Sequence, residues 1–519
     1  MRHSSIKSES IKAESIKAES TEAGSAFPDA AFIDPGGHNR AEIEVLLHRA
    51  IALLIEEMTQ AEKRSPLPAP IETKQLEQWA QIPEQSVDVE VLFDWMRSHL
   101  QSAMNAAHPG YIGHMDSIPT TLSIVGDLLA AALNNNMLSV EMSPVFSRLE
   151  PLVMRQLAAL FGLGPSAGGV MVSGGSLANL QALTVARNVA FNSVKKGIVG
   201  LDRQPVFFVS EVAHTSMQKA AMIMGLGAES AIALRTNQNS QVDPTDLEAK
   251  LANAEASGQI PFAIVATAGT TVTGSIDPIE EMGAIARHHH LWFHVDAAYG
   301  GALAFSPKYR SLLSGIEQAD SITFNPQKWL YIAKTCATVL FKNFDILNQQ
   351  FRISAPYMGE NEQWPNLGEL TVQGTRHPDI LKLWLSLQHI GTSGYAAIIR
   401  HNYALTEQFV KAVKARPALV LASQPQMNLV CFRLAPQTFK AEHWDRLNSK
   451  LQHHLLAAPH SKSSPVFLSL PTYRGNRWLK AVLLNPYTQA STIDSLFESI
   501  DTFINSIHSP AEAPSSASS

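Results

Sequence analysis

Cysteine is nearly absent. Only Cys336 and Cys431 occur in 519 residues, which excludes a disulfide framework and fits a reducing, cytoplasmic setting. An excess of one charge is also missing. Forty basic side chains stand against 46 acidic ones, for a net charge of −6. No bulk basic field exists to hold nucleic acid or an anionic membrane. No unbroken apolar run reaches the about 18 residues that mark a spanning helix. The opening MRHSSIKSESIKAES lacks the apolar stretch of a secretory signal. What the chain does have is apolar residue, 45% against 17% charged. That balance supports a large buried core and excludes a mostly disordered chain. At roughly 100–200 residues per domain, the length allows two or three folded units.

The ends read differently from the middle. IKSES at 6–10 is followed by IKAES at 11–15 and 16–20, and residues 1–37 form a polar tail with too little apolar surface to order itself. Residues 509–519 read the same way. Residues 41–60 repeat apolar side chains at helical spacing and open a helical N-terminal segment, 38–118. From 119 to 388 apolar strands alternate with helices. Strands are expected within 168–176, where GGVMVSGGS runs into glycines, and at 205–210, 262–269, 291–301 and 321–329. Helices are expected at 151–161, 177–193, 243–256 and 277–288. This alternation predicts an α/β fold with a mostly parallel sheet covered on both faces. Ligands of such sheets bind beyond the carboxyl ends of the strands. Two apolar strands, 427–435 and 477–486, flank a helix and predict a smaller α+β C-terminal domain over 389–508.

Four expected strand ends carry suggestive side chains. Ser173-Gly174-Gly175-Ser176 leads from a strand into a helix. Glycines admit close backbone approach, and a helix N-terminus favours an anion such as phosphate. A tight turn would use the same residues. His214 follows a strand and could stack on an aromatic ligand or donate a hydrogen bond, although a lone histidine is more often structural. Asp296 ends an apolar strand beside alanines and glycines, with no basic neighbour in sequence. A carboxylate at that depth calls for a cationic partner, and a protonated ring nitrogen would serve. Lys328, before Trp329 and Leu330, sits in apolar company, which lowers a lysine's pKa and frees its amine as a nucleophile. Each alone also fits a structural role. Together they supply the parts that pyridoxal 5'-phosphate requires, and 32 residues separate Asp296 from Lys328, room for one crossover. Thr270, in AGTT at 268–271, adds a hydroxyl for the ring or phosphate. The triplet His288–His290 falls at an expected helix end, where histidine meets the helix dipole favourably, and no metal is expected there.

These motifs resemble the group II pyridoxal-phosphate-dependent amino-acid decarboxylases, the family of the glutamate, cysteine-sulfinate, diaminobutyrate and aromatic-amino-acid decarboxylases. HPGYIGH (108–114), NNNMLSVEMSPVFSRLE (134–150), VSGGSLANL (172–180), AGTTVTGSID (268–277), HVDAAYGG (294–301), NPQKW (325–329) and GTRHPDILKLW (374–384) all resemble it. The resemblance spans about residues 38–507. It implies a fold type I architecture and a homodimer with active sites at the subunit interface. It implies that Lys328 carries the internal aldimine, Asp296 pairs with the pyridine nitrogen, Ala298 lies against the ring and His214 stacks on its other face. Gly175, Ser176 and Asn325 would hold the phosphate. His114 would line the substrate pocket, and Arg376 would meet a substrate carboxylate. Tyr357, on a polar stretch over 352–373 that reads as a long loop, would protonate the quinonoid that CO₂ loss leaves. One position departs from the family: Gln327 stands where histidine is common before the lysine.

The expected activity is therefore decarboxylation of an L-amino acid to its amine. The resemblance of 134–150 to the glutamate and cysteine-sulfinate branch points to a small acidic or polar substrate. Aminotransferase, carbon–carbon lyase and aldehyde-forming oxidative decarboxylase chemistry use the same parts, and a non-catalytic binding protein is the reading from another class.

Overall fold

The computed structural model describes residues 30–354, 363–457 and 464–508. Two compact units emerge, one from residues up to Thr59 with Pro70–Ser102, the other from Gln60–Ala69 with Ala103 onward.

The first unit holds helices Arg40–Thr59, Thr73–Trp79 and Val89–Ser102. Arg49 donates to both carboxylate oxygens of Glu90, each at 2.6 Å. Such exposed pairs fix register more than they stabilise. Val45, Ile51 and Ile55 on the long helix stay exposed.

The second unit is built on a seven-stranded sheet. Its strands are β1 (Gly168–Val172), β2 (Pro205–Ser210), β3 (Ala231–Leu234), β4 (Ile260–Thr267), β5 (Trp292–Asp296), β6 (Ser321–Phe324) and β7 (Ala337–Phe341). They run in the order β1-β7-β6-β5-β4-β2-β3. Every pair is parallel except the two made by β7. β1, β2, β6 and β7 are buried along their whole length, as strands covered on both faces must be. The α/β reading with a mostly parallel sheet holds.

Local chemistry sets the element ends. Asp243 caps the helix Pro244–Ala256 by accepting the Thr245 N–H at 3.0 Å, and Pro244 fills the first turn, where its missing N–H costs nothing. β6 stops at Phe324, shorter than the expected 321–329, because Asn325-Pro326 removes the next ladder donor. β5 ends at Asp296 rather than 301, since Gly300–Phe305 coils into a 3₁₀ turn. The short edge strand β3, the reversed strand β7 and the apolar helix Thr121–Leu133 are additions to the expected set. Helix Ile380–Lys414 is broken once, at Gly391, where φ is 66°.

A second core lies toward the C-terminus. β8 (Leu419–Leu421), β9 (Leu429–Leu434) and β12 (Leu479–Val482) form an antiparallel sheet in the order β12-β9-β8. The short pair β10 (Thr472–Tyr473) and β11 (Asn476–Arg477) precedes β12. Phe409 meets Phe432 and Phe497 edge-on at 5.4 and 4.9 Å. Helices Trp444–Ala457 and Ala490–His508 belong to the same region, and their Leu451 and Leu496 lie in this core. Both cysteines are buried and free. No helix among the described residues is long and apolar enough to cross a membrane.

Candidate active site

The carboxyl ends of β1, β4, β5 and β6 face one edge of the sheet, and a cavity of about 270 Å³ lies there. It is lined by Gly174, Gly175, Ser176, His214, Thr267, Asp296, Ala298, Asn325, Gln327 and Lys328, with Asn179, Gly269 and Thr271. Residues 174 to 328 thus converge from five chain segments. Larger clefts of about 550 and 720 Å³ elsewhere hold none of them.

Each side chain is set by its element. Gly175 begins helix Gly175–Phe191, and the first N–H groups of a helix have no partner within it. A Cβ on Gly175 would lie 2.6 Å from Asn325 Nδ2, so glycine is what lets Asn325 close against this turn. Asp296, at the end of β5, accepts from the Ala298 N–H at 3.1 Å and from Asn179 Nδ2 at 3.0 Å. His214 accepts the Ser216 N–H through Nδ1 at 3.1 Å, so its neutral ring carries the proton on Nε2. Desolvation lowers the His214 pKa, with Asp296 opposing, and the ring is neutral at pH 7.

Lys328 sits on the loop from β6 to β7. Desolvation lowers its pKa, and Asp296 restores part of the loss. Its amine makes no hydrogen bond or ion pair among the described residues. The loop is held from behind. Trp329 stacks on Tyr299 at 5.0 Å and donates to Asn402 at 2.8 Å. Tyr331, at φ 58°, donates to the Leu484 carbonyl at 2.6 Å. A bulky residue in the left-handed region costs about 1–3 kcal/mol and persists only where its surroundings dictate it. Gln327 accepts the Cys336 N–H through Oε1 at 2.5 Å, so half of its amide is spent on bracing this loop.

Three expected residues lie elsewhere. The Thr270 hydroxyl bonds Thr273 at 2.8 Å and accepts the Ser275 N–H at 3.0 Å. It is consumed by its own turn, while Thr267 and Thr271 reach the cavity instead. Arg376 is buried, and its Nη2 lies 2.6 and 2.7 Å from the two oxygens of Glu150 and 2.9 Å from the Met171 carbonyl. That ion pair takes up Nη2, and Arg376 is not among the residues that line the cavity. His114 packs near Tyr111 and Phe467 outside the cavity lining, and its desolvation there, with the Lys480 charge, lowers its pKa. Tyr357 lies outside the described residues.

One residue was missed. Lys480, in β12, is buried, and its Nζ reaches the Thr271 carbonyl at 3.3 Å. Desolvation drops its pKa to about 8, and the Lys328 charge acts in the same direction. A lysine inside the apolar run 479–484 was the available signal. Among the described residues the only cluster with metal-ligand spacing is Asp127, His377 and Asp379. The Lys382 ammonium lies 2.9 and 2.7 Å from those two carboxylates, so a cation already occupies it. His289, next to the end of helix Ile279–His288, pairs with Glu248 at 3.3 Å.

Residues 70–435 match the pyridoxal-dependent decarboxylase conserved domain. The chain belongs to that family. As a pyridoxal-dependent decarboxylase it is a carboxy-lyase whose cofactor is pyridoxal 5'-phosphate. It is similar to mouse CSAD in apo form, with 27% identity over 89% of this chain and 99% of that one, at a TM-score of 0.82. It is also similar to the glutamate decarboxylase domain of a Vibrio parahaemolyticus diaminobutyrate-pyruvate transaminase and L-2,4-diaminobutyrate decarboxylase, with 26% identity, 92% and 98% coverage and a TM-score of 0.79. Oryza sativa TDC with PLP and tryptamine shares the fold at 24% identity, 92% and 100% coverage and a TM-score of 0.84. The residues present fit the cofactor. Thr267 Oγ1 and Asn325 Oδ1 are buried at the cavity with no hydrogen-bond partner among the described residues, and such orphaned atoms call for a ligand. A helix N-terminus, a desolvated amine and a strand-end carboxylate complete the donor set.

Proposed function

We propose that this decarboxylase converts a small acidic or polar L-amino acid to its amine, with Lys328 and Lys480 as the two working cations. The observation that carries the reading is their convergence. Neither of these two desolvated lysines is in an ion pair among the described residues: Lys328 lines the cavity with Asp296, and Lys480 reaches the carbonyl of Thr271, itself a lining residue, at 3.3 Å. The pyridoxal ring, when bound, supplies the electron sink for the bond to CO₂.

The protein's own residues do the rest. Lys328, whose pKa desolvation lowers, would hold the cofactor through its aldehyde carbon. Asp296 holds a proton on the ring nitrogen. Gly175, Ser176 and Asn325 hold the phosphate, with the helix dipole favouring its charge. His214 and Ala298 hold the ring between them. Lys480 receives a substrate carboxylate, in the role first expected of Arg376. Buried walls exclude water and strengthen each electrostatic contact. Tyr357 donates the proton that ends at Cα. A homodimer would cover apolar side chains such as Leu128, Leu129 and Leu133, which stand exposed on helix Thr121–Leu133.

The test is a panel. Purified protein loaded with pyridoxal 5'-phosphate is incubated with each common amino acid, and CO₂ and amine are measured. Aspartate, glutamate or cysteine sulfinate should turn over fastest. Faster turnover of tyrosine, tryptophan or dihydroxyphenylalanine would reject the substrate class. Keto acid in place of CO₂ would reject decarboxylation. Tyr357→Phe should still release CO₂ but, with oxygen, yield aldehyde, ammonia and peroxide. An unchanged amine yield would move the proton donor elsewhere.

A further inference from the structure

Behind Asp296 runs a chain of buried polar groups that no step above uses. Trp292, His294 and Asp296 alternate along β5, so their side chains share one face. Trp292 Nε1 donates to Ser321 Oγ at 2.9 Å. Ser321 Oγ lies 2.9 Å from His294 Nδ1. His294 Nε2 lies 3.1 Å from Asn179 Oδ1. Asn179 Nδ2 reaches Asp296 Oδ2 and Ser216 Oγ, both at 3.0 Å. His294, Ser321, Asn179 and Asp296 are each at most 5% exposed.

The Asp296 end of this chain sets its direction, and the Trp292 end agrees with it. An indole N–H can only donate, so Ser321 accepts from Trp292 and has its one hydrogen left for His294 Nδ1. An ionised carboxylate can only accept, so Asn179 must turn its Nδ2 toward Asp296 and its Oδ1 toward His294. His294 must therefore donate through Nε2. The opposite tautomer would set Asn179 Oδ1 against the Asp296 carboxylate. Other groups facing the ring are few: Thr323 Oγ1 stands 3.5 Å from Nε2, and Asp296 is the charged neighbour. Burial pulls the His294 pKa down to about 4, so the ring stays neutral where the enzyme works. A primary amide does not pass protons on, and the chain orients dipoles without carrying charge.

We propose that Trp292, Ser321, His294 and Asn179 form a one-way hydrogen-bond relay that holds the Asp296 carboxylate aimed at the cofactor's ring nitrogen, and so favours the proton there. This rests on the reading that Asp296 faces that nitrogen. Trp292, Ser321, His294 and Asn179 are positioning residues, since they act through Asp296. The links from Ser321 through His294 and Asn179 to Asp296 are buried, where aligned hydrogen bonds polarise one another, and the Trp292 link is part-buried.

The experiment uses the full chain loaded with pyridoxal 5'-phosphate labelled with ¹⁵N in the ring. Its readouts are the ring ¹⁵N shift and the rate of cofactor loss, both independent of turnover. Ser321→Ala should move the ¹⁵N signal toward the unprotonated value and speed cofactor loss about tenfold, the scale of lost outer-shell support at ligand sites. Trp292→Phe should shift both the same way by less, and it covers the case in which Ser321→Ala does not fold. Thr338→Ala removes a buried hydroxyl from neighbouring β7, outside the relay, and should change neither. Asp296→Asn should move the ¹⁵N signal furthest. Wild-type signal and cofactor loss in Ser321→Ala and Trp292→Phe, with Asp296→Asn shifted, would overturn the relay and leave the Asp296 reading standing. An unmoved signal in Asp296→Asn would overturn both.

Discussion

Two kinds of buried cation occur in this protein. Arg376 and Lys382 are each at most 5% exposed, and each is matched, Arg376 by Glu150 and Lys382 by Asp127 and Asp379. Lys328 and Lys480 are also withdrawn from water, yet the described residues give neither an ion pair, and desolvation lowers the pKa of both. Burying an unmatched charge is costly. A fold keeps it where something outside the chain completes the match. The matched pair ties elements together, and the unmatched pair is where the proposed function puts its ligands.

Breaking the contrast begins with Lys328. Lys328→Ala should lower decarboxylation on the order of 10³-fold or more and abolish the visible absorption of the lysine-bound cofactor. Borohydride reduction followed by peptide mapping should find the pyridoxyl group on Lys328. Its discovery on Lys334 or Lys480 would end the assignment.

Arg376→Met tests the matched side. It strands the Glu150 carboxylate in the interior, and breaking such a pair costs about 3–5 kcal/mol. The denaturant midpoint should fall while KM for substrate stays near wild type. A raised KM at an unchanged midpoint would return Arg376 to the substrate. Lys480→Met should do the reverse, raising KM by about tenfold or more, on the scale of about 1.5–3 kcal/mol for a hydrogen bond to a charged group, with no loss of stability.

Acidity sharpens the same point. A substrate carboxylate needs the charged form of Lys480, whose pKa is about 8, so KM should climb as pH rises past that value. Lys480→Arg should remove the inflection, because guanidinium keeps its proton. Lys480 also adds a slope to stability. Between about 8 and the ordinary 10.5 the unfolded chain holds a proton that the folded chain has released, so its contribution grows with pH over that window. The smallest effect is expected from Gly175→Ala, whose Cβ displaces Asn325. Cofactor affinity should drop about fivefold, on the order of 1 kcal/mol, measured by titration of the apo protein.

Much of the site could be read from the chain because its parts stand at strand ends with distinctive neighbours. Pro205–Ser210 and Pro244–Ala256 follow from local pattern and capping alone, and Asp296, Lys328, His214 and the Gly174–Ser176 turn meet as expected. What escaped depends on partners distant in sequence. Nothing near Arg376 reveals that Glu150, 226 residues away, awaits it. Which of Thr270 and Thr271 turns to the cavity is decided by hydrogen bonds to Thr273 and Ser275. Lys480 hides in a strand that reads as apolar. Asn179 and His294 act through Asp296, and no motif announces them.

The reversed strand β7 has a mechanical consequence for the lysine. Because β6 and β7 are antiparallel, the twelve-residue segment 325–336 leaves and re-enters the sheet at the same edge. Cys336 returns beside Gln327 with paired contacts of 3.2 and 2.5 Å. On its other side β7 pairs Ala337 with Val172, the last residue before the Ser173–Ser176 turn. The loop that carries Lys328 and the Ser173–Ser176 turn are therefore both tied to β7, the loop by running into its first residue and the turn through the pairing of Val172 with Ala337.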